Sequence, residues 1–303
     1  YGLDRFAVGE IALKPVREQK IGLLLDAGMN SDLRQRHLQV ADACRASLGL
    51  KVGPVVITDV PLEVRLTKAA SGASWGGLGQ PEALINGGER LKKAGATAIA
   101  VVTSFPQDQK SDSLAAYRRG NGVDSLAGAE ALISHLLVRH LGIPCAHAPA
   151  LEPLSLDPLL DPRAAAEEIG FTFLSSVLVG LSRAPDLVNL KGVSSELYVS
   201  SQKGLLFAEQ IGAVVAPQGA LGGEAVLACI EKGLPLVVVD NPGVLQVSSD
   251  ELGLKENFCE NYSGTTLFRA RNYVEAAGFL MLLREGLNVE ALQRPVTSLE
   301  SSK

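Results

Sequence analysis

The chain has 303 residues, of which 47% are hydrophobic and 20% charged, so it can bury a large core in one or two domains. Its 28 basic and 33 acidic residues give a net charge of −5 without any Lys/Arg run, which argues against a nucleic-acid or anionic-membrane binder. No apolar run reaches the roughly 18 residues that span a bilayer. The four Cys residues form no Cys-x-x-Cys pair, which indicates reduced thiols. We expect a soluble, intracellular protein.

Short apolar runs rich in β-branched residues alternate with segments of helical period. Both faces of these runs are apolar, which is typical of strands covered by helices on each side. The predicted strands are, in chain order, Ile21–Asp26, Pro54–Asp59, Thr97–Thr103, Ile143–His147, Asp186–Leu190, Gly212–Ala216 and Pro235–Asp240. This alternation predicts an α/β fold with mainly parallel, Rossmann-like sheets, flanked by helices and joined by right-handed crossovers.

Helices are predicted between these strands. Ser31–Leu48 and Asp124–Leu141 each carry an apolar stripe at helical spacing. Asn272 followed three residues later by Glu275 predicts a capping box at the start of a further helix.

The Pro- and Leu-rich stretch 148–162 suits neither a regular helix nor a central strand. It is therefore either a linker or a long loop over the strand ends. We expect two α/β lobes that meet near it, 1–150 and 151–295, followed by a polar tail, 296–303.

In open α/β sheets, ligands gather beyond the carboxyl ends of the strands, where loops enter helices. A first Gly-rich loop precedes a helix that starts at Pro81. Its glycines would let backbone N–H groups approach an anion, and its indole would stack on a planar ligand. The alternative is a flexible surface turn. The candidate ligand-binding residues here are Ser71, Gly72, Ser74, Trp75, Gly76 and Gly77.

The second Gly-rich turn gives the sharpest signal, because it lies between a strand and a helix that leads to the strand ending at Asp240. Backbone N–H groups at such a helix start favour a phosphate or carboxylate. The unit is similar to the nucleotide-binding half of two-domain glycosyltransferases and nucleotide-sugar epimerases, by analogy only. The alternative is tight helix–sheet packing. The candidate ligand-binding residues are Gly219, Gly222, Gly223, Glu224 and Asp240.

The third loop contains Arg118 and Arg119, which would clamp a carboxylate or phosphate, although a solvated surface is the alternative. Asp124 ends this loop and is predicted either to cap the next helix or to act as a catalytic acid or base. His147 ends a predicted strand and is a candidate general base, with a structural histidine as the alternative. The pattern indicates no metal site and no particular cofactor.

The chain as a whole resembles a cyanobacterial and plastid family catalogued only as domain-of-unknown-function family 3326. The strings that carry the resemblance are Tyr1–Phe6, Ala70–Trp75, Gly122–Glu130, Ile143–Pro149 and Val179–Pro185. The resemblance spans the full length but implies no activity. It implies a photosynthetic lineage, a cytoplasmic or stromal location, and a further N-terminal segment with another Gly-rich turn ahead of the part that matches Tyr1.

These observations favour an enzyme that binds a phosphorylated or nucleotide-linked small molecule in a cleft between the lobes, with transferase as the preferred class. A racemase, isomerase or lyase acting on a small carboxylate is the first alternative. A non-catalytic binding or assembly factor is the second. The expected partner is a small-molecule anion, without nucleic acid or a membrane span, and a homo-oligomer is compatible with the sequence.

Overall fold

The computed structural model describes residues 1–69, 73–106, 112–152, 154–168, 172–190, 204–241, 245–255, 264–292, 294–296 and 298. The chain divides into two compact units, Tyr1–Phe207 and Ala208–Lys303. The architecture is α/β with parallel sheets flanked by helices, which confirms the predicted fold class. Within the described ranges, no helix combines the length and apolar character needed to cross a bilayer.

The first unit is built on a four-stranded parallel sheet in the order β3 (Val52–Ile57), β2 (Ile21–Leu25), β6 (Ala98–Ser104) and β7 (Cys145–Ala150). Helices α3 (Pro81–Lys93) and α5 (Ala127–Leu141) cover one face of this sheet, and α2 (Ser31–Leu48) and α7 (Leu174–Leu181) cover the other. Strand β2 is buried along its whole length, as its continuous apolar run predicts. The elements of the unit are α1 Gly2–Val8, β1 Ile11–Lys14, β2 Ile21–Leu25, α2 Ser31–Leu48, β3 Val52–Ile57, β4 Val64–Lys68, β5 Ser74–Leu78, α3 Pro81–Lys93, β6 Ala98–Ser104, α4 Asp112–Arg118, α5 Ala127–Leu141, β7 Cys145–Ala150, α6 Pro162–Glu168, α7 Leu174–Leu181 and β8 Asp186–Asn189.

The first Gly-rich stretch, residues 71–79, is predicted as a loop, and this prediction is wrong for most of its length. Residues Ser74–Leu78 form β5, which pairs antiparallel with β4. Glycine is depleted in strands, so propensity argued against this assignment. The pairing with β4 and the packing of β5 on α5 override that preference.

Residues after 150 continue the first unit, although the predicted lobe boundary falls there. Strand β7 runs on to Ala150, because Pro149 is tolerated in an edge strand. Helix α7 packs on β6 and β7, and β8 pairs antiparallel with β1. These contacts of α7 and β8 join residues beyond 150 to the first unit. The extension of β7 to Ala150 corrects the prediction that residues 148–150 lie in a linker or loop.

The second unit contains a parallel sheet in the order β11-β10-β9. Asn272 accepts a hydrogen bond from the backbone N–H of Glu275 at 3.0 Å, as the capping pattern predicts. The elements of this unit are β9 Val214–Pro217, α8 Glu224–Glu231, β10 Leu236–Val239, β11 Leu267–Ala270 and α9 Tyr273–Arg284.

A single buried carboxylate connects the loops at the carboxyl edge of the first sheet. Asp26 directly follows β2 and is only 1% exposed. Its carboxylate accepts backbone N–H groups from Gly28 at 2.9 Å, Leu62 at 3.0 Å and Ser104 at 3.1 Å. It therefore holds the segments after β2 and β3 and the end of β6 together, since three backbone donors share this buried acceptor group.

We expect Asp26→Asn to lower the free energy of unfolding by about 2 kcal/mol, because the amide oxygen can replace Oδ1 but the NH2 group in place of Oδ2 faces the N–H of Ser104, and the charge of the acceptor is lost. Asp59→Asn is the matched control, since Asp59 follows the next strand but forms only an exposed ion pair with Arg90. We expect that change to cost less than about 0.5 kcal/mol. Urea unfolding measures both; similar losses in the two variants would contradict this role of Asp26.

Candidate functional site

The second Gly-rich turn lies at the carboxyl end of β9, where the sequence places it. Gly219 has φ 88°, and a Cβ on it would lie 2.2 Å from the carbonyl oxygen of Leu245. Val247 donates its N–H to the Gly219 carbonyl and accepts the N–H of Leu221, both at 2.9 Å. Packing and backbone geometry therefore account for glycine at position 219.

The start of α8 has a different character. Gly222, Gly223 and Glu224 are all exposed. A Cβ on Gly222 would approach the Val247 side chain at 3.2 Å, whereas Gly223 has φ −73° and nothing within 4 Å. Neither packing nor backbone strain thus requires glycine at position 223. Because Gly223 is the N-cap of α8, the first turn of this helix receives no acceptor from its cap side chain.

Charged side chains follow the other two strands at the same edge. Asp240 comes directly after β10 and is exposed, and Arg271 comes directly after β11. The pKa of Arg271 is raised chiefly by its hydrogen bond to Glu275 and by the charge of Glu275, with a smaller contribution from Asp240. Sequence reasoning missed Arg271, although its position between a strand and a capping asparagine was a usable signal.

The residues of the first Gly-rich stretch serve the packing of β5 on α5. The Ser74 hydroxyl accepts the backbone N–H of Gly128 at 3.0 Å, and a Cβ on Gly76 would lie 2.3 Å from the Cα of Ala129. Trp75 is 63% exposed, and Gly77 faces open space. Ser71 and Gly72 lie outside the described residues.

Residues of the third loop, 117–124, form hydrogen bonds with other residues of the first unit. The Arg118 guanidinium donates to the carbonyl oxygen of Ser155 at 2.7 Å, and Arg119 is exposed. Asp124 accepts the N–H of Leu126 at 2.9 Å, in the turn that precedes α5. Arg118 thus bonds a neighbouring segment of the first unit, and the ligand role of both arginines stays a prediction.

His147 lies in the middle of β7, because this strand continues three residues beyond its predicted end. Its Nδ1 is 2.5 Å from the Ser134 hydroxyl oxygen, and its Nε2 is 3.5 Å from a carboxylate oxygen of Glu130. Both partners belong to α5. Sequence reasoning missed them, although their spacing of four residues places them on one helix face.

The other titratable side chains near His147 do not form a metal site. Burial raises the pKa of the Cys145 thiol, which donates to the carbonyl oxygen of Ile143. His140 bonds Glu89 at 2.6 Å, on the outside of α5. Within the described ranges, no three His, Cys, Asp or Glu side chains are grouped to hold a metal ion.

Thr103 carries a buried hydroxyl that has no hydrogen-bond partner among the described residues. The residue is fully buried in β6, two positions after Val101, which pairs with His147 in the sheet. Since side chains alternate along a strand, Thr103 and His147 lie on the same face of the sheet. An unpaired buried hydroxyl is costly, so it is a candidate for a functional group.

We expect Gly76→Ala to lower the free energy of unfolding by about 2 kcal/mol, because its methyl group would overlap the backbone of α5. The adjacent Gly77→Ala is the control, and we expect a change within about 0.5 kcal/mol because its Cβ meets no atom. Thermal or urea unfolding measures both. Equal losses in the two variants would show that β5 does not pack closely against the backbone of α5.

We expect Thr103→Val to raise the free energy of unfolding by about 1 kcal/mol, because it removes a buried hydroxyl that has no partner in the described part of the chain. Thr58→Val is the matched control: its buried hydroxyl donates to the Val60 carbonyl and accepts the N–H of Ala27. We expect that variant to lose about 1–2 kcal/mol. A loss of stability in Thr103→Val would contradict the unpaired state of this hydroxyl.

Comparison with known proteins places the chain in a family. A family model described as a protein of unknown function, DUF3326, matches residues 1–293. An uncharacterized lipoprotein of Synechococcus sp. is 44% identical over 293 residues, which cover 96% of this chain and 76% of that protein. No solved structure matches the chain. Since both matches extend over almost the whole chain, the protein belongs to the DUF3326 family.

Proposed function

We propose that the protein is an enzyme that binds a phosphorylated or nucleotide-linked small molecule, and that the anion sits on the Gly222–Gly223 turn of the second unit. The observation that carries this proposal is Gly223. It is an exposed N-cap glycine at the carboxyl edge of a parallel sheet, and neither contacts nor φ explain it. An oxygen of a ligand can approach the backbone there without meeting a side chain.

The charges at this edge support an anion with hydroxyl groups. The positive end of the α8 dipole favours a phosphate at its first turn. Arg271 adds a cationic group at the same sheet edge. Asp240 is an exposed carboxylate that follows β10, and β10 is adjacent to β9, which the turn follows. A carboxylate there would accept hydrogen bonds from sugar hydroxyls.

Transferase is the class that we prefer, and the likeness of this unit to glycosyltransferases stays an analogy. Proton transfer by His147 and Asp124 and stacking of a planar group on the exposed Trp75 stay separate predictions for the first unit. The similar Synechococcus protein is named a lipoprotein. A cytoplasmic or stromal location of this chain therefore stays a prediction, which fractionation of the native cells would test.

We expect wild-type protein to gain thermal stability with nucleoside diphosphates, nucleotide sugars or sugar phosphates. Saturation at one hundred times the dissociation constant corresponds to about 2.7 kcal/mol. Gly223→Asp should remove this gain, because its carboxylate occupies the first-turn N–H groups and repels the anion. Without ligand, the same variant should be slightly more stable, by a few tenths of a kcal/mol, through better capping.

Gly223→Ala is the control, because it adds only a methyl group in open space and no competing acceptor. It should lose up to about 1 kcal/mol of stability but keep the ligand-induced gain. Stabilisation by simple carboxylates and not by phosphates would instead select a racemase, isomerase or lyase. No response of the wild type to any of these anions would remove the proposal of an anion-binding enzyme and leave the binding or assembly factor as the alternative for this unit.

A further inference from the structure

We propose that Ser134 is a nucleophile, that His147 is its general base, and that Glu130 positions His147. This would be a catalytic centre in the first unit for acyl transfer from an ester or thioester. The proposal rests on the contacts between α5 and β7 and does not depend on anion binding at the Gly222–Gly223 turn.

The three side chains are brought together by regular structure. Glu130 and Ser134 are four residues apart on α5, so they project from the same helix face toward β7. His147 lies between them, with Ser134 Oγ at 2.5 Å from Nδ1 and Glu130 Oε2 at 3.5 Å from Nε2. A serine inside a helix commonly bonds the carbonyl four residues earlier. Here its hydroxyl bonds the imidazole instead.

The position of Glu130 determines what the imidazole can do. A carboxylate next to Nε2 favours the tautomer that carries its proton on Nε2. Nδ1 is then the free lone pair, and Ser134 donates its O–H to it. This is the logic of a serine, a base and an acidic orienting group, with the two ring nitrogens exchanged relative to the serine-protease arrangement.

The cluster is partly shielded but still reachable. The Glu130 side chain is 12% exposed and that of His147 is 27% exposed. Shielding strengthens the interaction between a carboxylate and an imidazolium that forms during the reaction. Ser134 is half-buried, so its hydroxyl belongs to a residue that solvent still reaches.

The reaction balances without an added cofactor. Ser134 Oγ attacks the substrate carbonyl carbon while its proton passes to His147 Nδ1. The tetrahedral intermediate then expels the alcohol or thiol, which takes that proton, and leaves an acyl-serine. Water then loses a proton to the same nitrogen and attacks the acyl carbon; the Ser134 oxygen leaves, takes that proton back, and the carboxylic acid is released.

The test uses an alkyl fluorophosphonate as the probe on the full chain. The Ser134 oxygen forms a bond to phosphorus, fluoride leaves, and the serine proton passes to His147. We expect one phosphonate per chain, mapped to Ser134 by peptide mass spectrometry and absent in Ser134→Ala. His147→Gln should slow labelling by at least about 100-fold, the usual effect of losing a general base.

Two variants separate chemistry from structure. Glu130→Gln should slow labelling by about 10-fold, because the imidazolium that forms during the reaction loses its carboxylate neighbour. Glu130→Asp, which keeps the carboxylate, should restore part of that rate, and a purely structural role of Glu130 does not predict this difference.

His140→Gln is the matched control, because His140 lies on the same helix but bonds Glu89 at the surface. Its labelling rate should equal that of the wild type. Each variant is first checked for a cooperative thermal transition. Wild-type protein that shows no label at Ser134, or a folded His147→Gln variant that labels at the wild-type rate, would overturn the proposal.

Discussion

The close approach of α5 to the strands β5 and β7 is the constraint on which the first unit depends. Gly128 at the start of α5 would, with a Cβ, meet the backbone of Ser74 at 2.3 Å, and Gly76 would meet Ala129 in the same way. Two glycines on facing elements thus let backbone pack against backbone. This contact fixes the rotation of α5 about its axis and its distance from β5. Glu130 and Ser134 meet the imidazole of β7 because the helix is held in that place.

The glycines of this chain have different physical causes, although composition alone makes them look alike. Gly76 and Gly128 are explained by contact, and Gly219 by both contact and a positive φ. Gly223 is explained by neither. A Gly-rich stretch is therefore informative only after each position has been tested for a structural reason. Gly223 combines the lack of such a reason with its place at a helix start beyond a parallel strand, and we therefore assign it to ligand approach.

The sequence predicts the buried parallel strands of the fold but not the antiparallel pairings of β5 with β4 and of β1 with β8. Buried parallel strands such as β2 and β6 show as continuous apolar runs, and the strand–helix alternation predicts their pairing. Strand β5 contains two glycines in five residues, so its assignment depended on the partner strand β4. The pairing of β1 with β8 joins residues far apart in the chain, and neither short strand carries a local signal that names its partner.

The same distinction applies to the candidate sites. His147 was found because histidine is informative by type, whereas Glu130 and Ser134 acquire meaning only once α5 is known to face β7. Buried polar atoms add a second criterion that sequence cannot supply. Asp26 satisfies three backbone donors, and its burial is explained by the loops that it joins. Thr103 on the neighbouring strand has no such account within the described residues. Because an unpaired buried hydroxyl costs free energy, Thr103 stands out only once the burial of its side chain is known, whereas the sequence shows an ordinary strand threonine.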